Sequence, residues 1–225
     1  MSKRLLVYVE GESEEFFVNR VLRNYLLVHR VHIERPILAA KPGGLRGGFV
    51  SWPAVEADLR TIFAQDSDPN LRFTTFLDVY ALPTDVPGYT PATAQSRTAA
   101  EVDAIESAWA THFGEPRFAP YLQRHEFEAL VLAYPPALRA IFPDQALALT
   151  TLEMSITTFA SAEEINGGST THPSTRLEQA IPIYGPLKAS NGLFVIQEAG
   201  LDHIRLRCPR FDAWLKRWEA WGDAS

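Results

Sequence analysis

Four carboxylates stand where this sequence could do chemistry. Glu10 closes the apolar run Leu5-Leu6-Val7-Tyr8-Val9, Asp78 closes a run over residues 73–77, and Glu126 and Glu128 follow a run over residues 117–122. In an open α/β sheet, ligands collect outside the carboxyl ends of the strands, so acids at those ends face a crevice. Carboxylates gathered there repel one another unless a cation sits among them. An all-oxygen donor set suits Mg²⁺ or Mn²⁺, which take one or two carboxylates and complete their shells with water and phosphate oxygens. Metal-assisted phosphoryl transfer uses that donor set.

Each acid also has a plainer role open to it. Glu10 beside Gly11 fits a strand-to-helix turn. Glu12, Glu14 and Glu15 suit a first helical turn, where acids complement the dipole, although Glu14 lies one turn from Glu10 and could reach the same ion. Asp78 leaves a buried run and needs a partner, which a metal or a turn amide would supply. The segment Arg124-His125-Glu126-Phe127-Glu128 is not a His-Glu-x-x-His zinc helix, because no second histidine follows at that spacing. His125 and Glu128 are three apart and are expected on one helix face. Acids there also suit a helix start.

Anion contacts are less sharply written. The segment Lys41-Pro42-Gly43-Gly44-Leu45-Arg46-Gly47-Gly48 could bring backbone amides and two cations to a phosphate. It matches neither the Walker A nor the dinucleotide pattern and also fits a connector. Residues 201–217 carry Arg205, Arg207, Arg210, Lys216 and Arg217 against Asp202 and Asp212, a basic patch or a solvated helix face. Trp214 and Trp218, four apart, point to a core-facing stripe. Cys208 has His203 nearby in sequence, but a packed cysteine is the commoner case.

The elements that must position these residues follow from pattern. The run before Glu10 is apolar throughout, as in a strand buried on both faces of a parallel sheet. Ser13 and the acids after it start a helix to about residue 28. A second strand is expected over residues 32–40. A helix opening at Ser51-Trp52-Pro53 runs to about 64. The strand ending at Asp78 comes next, then an irregular stretch with Pro83, Pro87, Gly88 and Pro91, then a helix over 98–113 and a short strand over 117–122. A helix is expected over 125–133. Beyond it strand signals thin out, with a capping box at Ser161 and Glu164, one more strand over 202–206 and a last helix over 209–221. Alternating β and α point to an α/β fold with a parallel sheet flanked by helices. Residues 1–133 form its expected core and 134–225 a helical, loop-rich extension.

Composition sets the frame. The chain has 225 residues with a net charge of −6 and 46% hydrophobic residues. That excludes disorder and argues against binding nucleic acid by bulk charge. It leaves room for an enzyme that meets phosphates through metal ions. One cysteine excludes an internal disulfide and a cysteine zinc cluster. The apolar run at residues 5–9 is too short for a signal-peptide core, and nothing approaches a membrane span, so a cytoplasmic protein with no membrane contact is expected.

At Val9-Glu10-Gly11-Glu12-Ser13-Glu14 the chain resembles the Toprim superfamily of topoisomerases, primases and overcoming-lysogenization-defect nucleases. The first motif of that superfamily is an apolar strand, Glu-Gly, and an acid three residues after the glycine. The resemblance implies a Rossmann-like fold and metal-dependent phosphodiester chemistry. It also implies an Asp-x-Asp motif, for which the chain has Asp78-Val79-Tyr80, with Tyr80 in place of the second acid. Over nearly its full length the chain resembles domain of unknown function 4276. The match rests on Val9 to Glu14, residues 74–83 with Pro87-Gly88, residues 120–130, Glu164-Ile165-Asn166, and Cys208-Pro209 to Trp214. That resemblance implies Glu126 or Glu128 as substitute for the missing acid. It implies charge neutralisation by His125, by Arg176 in Pro173-Ser174-Thr175-Arg176, or by Lys188 after Tyr184. It also implies an ATPase partner in a defence-like gene pair. A Mg²⁺- or Mn²⁺-dependent nuclease is therefore expected, with Glu10, Glu14, Asp78, Glu126 and Glu128 as metal ligands and His125 and Lys188 assisting. A non-catalytic partner of an ATPase and a phosphohydrolase of small phosphates are the alternatives.

Overall fold

In the computed structural model, residues 2–39, 51–80, 82–91, 97–166, 168 and 170–224 are described. The glycine-rich segment with Lys41 and Arg46 lies outside the described residues. The chain forms two compact units, one from residues 1–122 and 214–225, the other from residues 123–213.

The first unit is built on strand β1 (Lys3–Val9), in which Leu5, Val7, Tyr8 and Val9 are buried. Strand β2 (Val31–Ile33) pairs with its first half and β3 (Ile37–Leu38) with its end. Strand β4 (Leu71–Asp78) pairs along its other edge, from Arg4 opposite Leu71 to Val9 opposite Phe76. All three pairings are parallel. Strand β5 (Leu122–Gln123) completes the order β2-β1-β4-β5. The sheet is thus parallel, and its central strands β1 and β4 are largely buried, as strands covered on both faces are.

Helices cover it. After β1 come α1 (Glu12–Phe17), a π-helical segment (Val18–Leu22) and α2 (Arg23–Val28), where one unbroken helix was expected. Helix α3 (Trp52–Gln65) starts on Pro53, and α4 (Ala99–Phe113) starts on Thr98, whose hydroxyl accepts from the Glu101 amide. Trp52, Leu59, Ile105 and Trp109 pack with Tyr8 and Leu77 in one apolar cluster. Trp214 stacks on Tyr121 at 4.9 Å and donates its indole N–H to Thr74 at 3.0 Å. The expected core-facing role of Trp214 and Trp218 is what the fold uses, since both are buried.

The second unit is helical. It holds α5 (Glu128–Val131), α6 (Pro135–Ile141), α7 (Ala146–Ile156), α8 (Pro173–Ala180), α9 (Lys188–Ala199) and α10 (Leu201–Arg207). Helix α11 (Pro209–Asp223) closes the chain. Among the described residues no helix is long and apolar enough to cross a membrane.

Four sequence-based expectations need correcting. The strand expected over 32–40 breaks into β2 and β3, with Pro36 between them. The strand expected over 117–122 shrinks to a bridge from Phe118 to Phe73 and to β5. The helix expected over 125–133 is only α5, because His125 has φ of +65° and cannot sit in a right-handed helix. The strand expected over 202–206 is helix α10, with Leu201 and Ile204 buried three apart.

Candidate functional site

In the first unit the parallel register brings Glu10 and Asp78 to the same end of adjacent strands. Glu10 directly follows β1 and Asp78 is the last residue of its neighbour β4. Glu10 Oε2 accepts the backbone N–H of Asp78 at 3.1 Å. Both residues are half-buried at the carboxyl edge of the sheet, where ligands of α/β folds collect. Glu14 is 5% exposed, and its Oε2 accepts the Gly11 N–H at 3.0 Å. It reaches back across the first turn of α1 to cap it. The Tyr80 ring, in the position of the second motif acid, has the Arg97 guanidinium 5.3 Å from its centroid. A cation therefore stands near the end of β4.

Among the described residues no group of three or more His, Cys, Asp or Glu side chains is placed to hold a metal ion. Glu10 and Asp78 remain, and two carboxylates are the usual protein share of a Mg²⁺ or Mn²⁺ shell. In donor chemistry the pair fits such an ion.

The second unit holds the other acids, and each is met by named partners. Glu126 Oε2 accepts the Ser174 N–H at 2.9 Å and Oε1 the Ser174 hydroxyl at 3.1 Å. It caps the start of α8, whose first-turn amides lack partners of their own. Glu128 is fully buried; its Oε1 accepts the Tyr184 hydroxyl at 3.4 Å and its Oε2 lies 3.2 Å from Lys188 Nζ. Burial pushes the Glu128 carboxyl above its ordinary value; Lys188 pulls it down and Glu126 adds to the rise. Burial, then Glu128, drives the Tyr184 phenol well up, so it stays a neutral donor. Gly192 makes room for it, since a Cβ there would stand 3.0 Å from the Tyr184 hydroxyl.

His125 is buried and its Nδ1 lies 3.0 Å from the Asn166 side-chain nitrogen. Its left-handed backbone turns it away from the helix face it was expected to share with Glu128. Glu163 accepts the N–H groups of Arg210 and Phe211 at 2.9 and 3.0 Å and so caps α11. Ser161 caps not through the expected box with Glu164 but by accepting the Glu163 N–H. Cys208 is buried and its thiol is pushed well up by burial, the reverse of an activated nucleophile. The C-terminal basic patch is partly spent, Arg205 on Asp212 and Arg207 on the carbonyls of Phe159 and Ala160.

The sequence-predicted residues thus fall in two sets: Glu10, Glu14 and Asp78 in the first unit, and His125, Glu126, Glu128 and Lys188 in the second. Ser174, Tyr184, Asn166 and Arg97 were missed as partners. A signal was present for Asn166, which lies in a block that carries the family likeness, and Ser174 and Tyr184 lie in the two segments singled out for Arg176 and Lys188. The family model described as Domain of unknown function (DUF4276) matches residues 9–219. The chain belongs to the DUF4276 family. The match spans Glu10, Asp78 and every acid of the second unit named above. Comparison with curated proteins and with solved structures returned no match.

Proposed function

We propose that this DUF4276 chain is a metal-dependent nuclease of the Toprim kind, with Glu10 and Asp78 as the Mg²⁺ or Mn²⁺ ligands, acting beside an ATPase. The observation that carries it is the pair itself: Glu10 directly after β1 and Asp78 at the end of the adjacent parallel β4, with the Glu10 carboxylate accepting the Asp78 backbone N–H. A bound divalent ion would polarise a phosphodiester and lower the pKa of a water. Glu10 and Asp78 hold it; the bond from the Asp78 amide fixes the orientation of Glu10, and Glu14 locks the turn that presents it. Arg97, seated over Tyr80, brings positive charge to the same strand end for an incoming phosphate.

The test is cleavage of plasmid, single-stranded DNA and RNA with Mn²⁺, the partner ATPase supplied. Nucleotides assayed for phosphate release separate a small-phosphate hydrolase from a nuclease. Wild type is expected to cut and Glu10→Ala to be inert; equal inertness of both overturns the proposal. Tyr80 favours one second reading, a non-catalytic regulatory partner of an ATPase, since an aromatic ring stands where the motif has an acid. Stimulation of the ATPase by Glu10→Ala at the wild-type level, with no cleavage by either, is the outcome that reading expects.

A further inference from the structure

A cavity of about 390 Å³ opens between α7 and α8 in the second unit, lined among others by Thr151, Leu152, Ser155, Arg176, Gln179 and Ala180. Its size is that of a small-ligand pocket. Its chemistry turns on Arg176. That guanidinium is half-buried, and the partners of its N–H groups are neutral: Nε donates to the Thr171 carbonyl at 2.6 Å and Nη1 to the Ser155 hydroxyl at 3.2 Å. Its face lies 5.9 Å from the Phe159 centroid. Among the described residues no carboxylate pairs with it, whereas Arg4, Arg60, Arg117, Arg139 and Arg205 each have one.

A guanidinium partly withdrawn from water without a counter-charge carries some desolvation cost, which an anion would offset. Burial already lowers its pKa, with no neighbouring charge acting on it. The hydroxyls beside it do not compete for the anion as donors. Ser155 gives its proton to the Leu152 carbonyl at 2.7 Å, and Thr151 gives its own to the Leu147 carbonyl at 3.3 Å. The donors left to the cavity are the remaining guanidinium N–H groups, in the planar fork that matches an oxyanion, and the Gln179 amide. Leu152 and Ala180 supply an apolar wall for the body of the ligand.

We propose that this pocket binds a small organic oxyanion, a phosphate or carboxylate on a compact apolar body, with Arg176 as its anchor. The site stands on residues of the second unit alone and does not depend on Glu10 or Asp78. The test is calorimetric titration of the full chain with phenyl phosphate and, separately, benzoate, which share a ring and differ in the head group. Saturable binding of at least one is expected, and whichever binds more tightly identifies the head group. Arg176→Gln is expected to weaken it by about tenfold or more, and Arg176→Lys, which keeps charge but not the fork, by less. Ala148 also lines the cavity; Ala148→Phe, which fills it and spares the arginine, is expected to abolish binding, so a folding defect in one variant leaves the other to decide. Glu10→Ala is expected to bind as wild type. No saturable binding of either compound by wild type, or equal binding by folded Arg176→Gln and Ala148→Phe, overturns the proposal.

Discussion

Glu10 and Asp78 in the first unit are half-buried at strand ends, while Glu126, Glu128 and Glu163 in the second are sunk in the interior. The buried three are answered by an N-terminal helix turn, by a lysine with a tyrosine, and by a second helix turn. A buried carboxylate is tolerated only when hydrogen-bonded or paired, so these acids are bound to the helices they join. The strand-end pair is joined instead through the Glu10 carboxylate and the Asp78 backbone N–H. It sits at the carboxyl edge of the sheet, where α/β folds place ligands. The contrast separates acids sunk among helices from acids at strand ends.

Substitutions can break that contrast. The largest effect is expected on activity: Glu10→Ala or Asp78→Asn should lower Mn²⁺-dependent cleavage by about 100-fold or more, while shifting stability by less than about 1 kcal/mol. Cleavage rates beside urea midpoints check both halves, and a variant that unfolds instead would put Glu10 among the structural acids. Next, Glu128→Ala should destabilise by about 2 kcal/mol, since the Tyr184 hydroxyl loses its acceptor in the interior. Lys188, its side chain 40% exposed, can turn to water and softens the loss. Glu126→Ala should cost about 1 kcal/mol, the worth of a helix cap, read in the same urea series.

The smallest expected effect is on pH dependence. Burial holds Glu128 and Glu163 above the ordinary value of 4.5. Between 4.5 and their raised values the folded chain binds more protons than the unfolded one. Stability therefore falls as pH rises through that window and recovers as pH drops. Urea midpoints at pH values of about 5, 6 and 7 should show this slope in wild type and a shallower one in Glu128→Gln. A steeper slope in the variant would mean that Glu128 is not held protonated by its burial.

The sequence carried the first unit better than the second, for physical reasons. Continuous apolar runs before Glu10 and Asp78 have few readings other than strands buried on both faces. Thr98 and Pro53 announce α4 and α3 through cap chemistry that acts locally. The second unit is set by tertiary contact. Residues 203–207 alternate polar and apolar, a strand pattern, yet Ile204 is buried with Leu201 while Leu206 is 82% exposed. The same residues could write either period, and packing chose the helix. His125 in a left-handed conformation is invisible to periodicity, which is why α5 was drawn too long. At the candidate site, Glu10 beside Asp78 follows from strand-end logic alone, because parallel neighbours bring their ends together. The ties of Glu126 to Ser174 and Glu128 to Tyr184 span 48 and 56 residues, beyond the reach of spacing rules.

The measurement closest to the centre of this account is calorimetric titration of Mn²⁺ into the full-length chain and into its Glu10→Ala, Asp78→Asn and Glu128→Gln variants. Saturable binding is expected in wild type and in Glu128→Gln, and its loss in Glu10→Ala and Asp78→Asn. Binding that survives in both strand-end variants, or that is absent from wild type, would contradict the assignment of these two carboxylates to a metal.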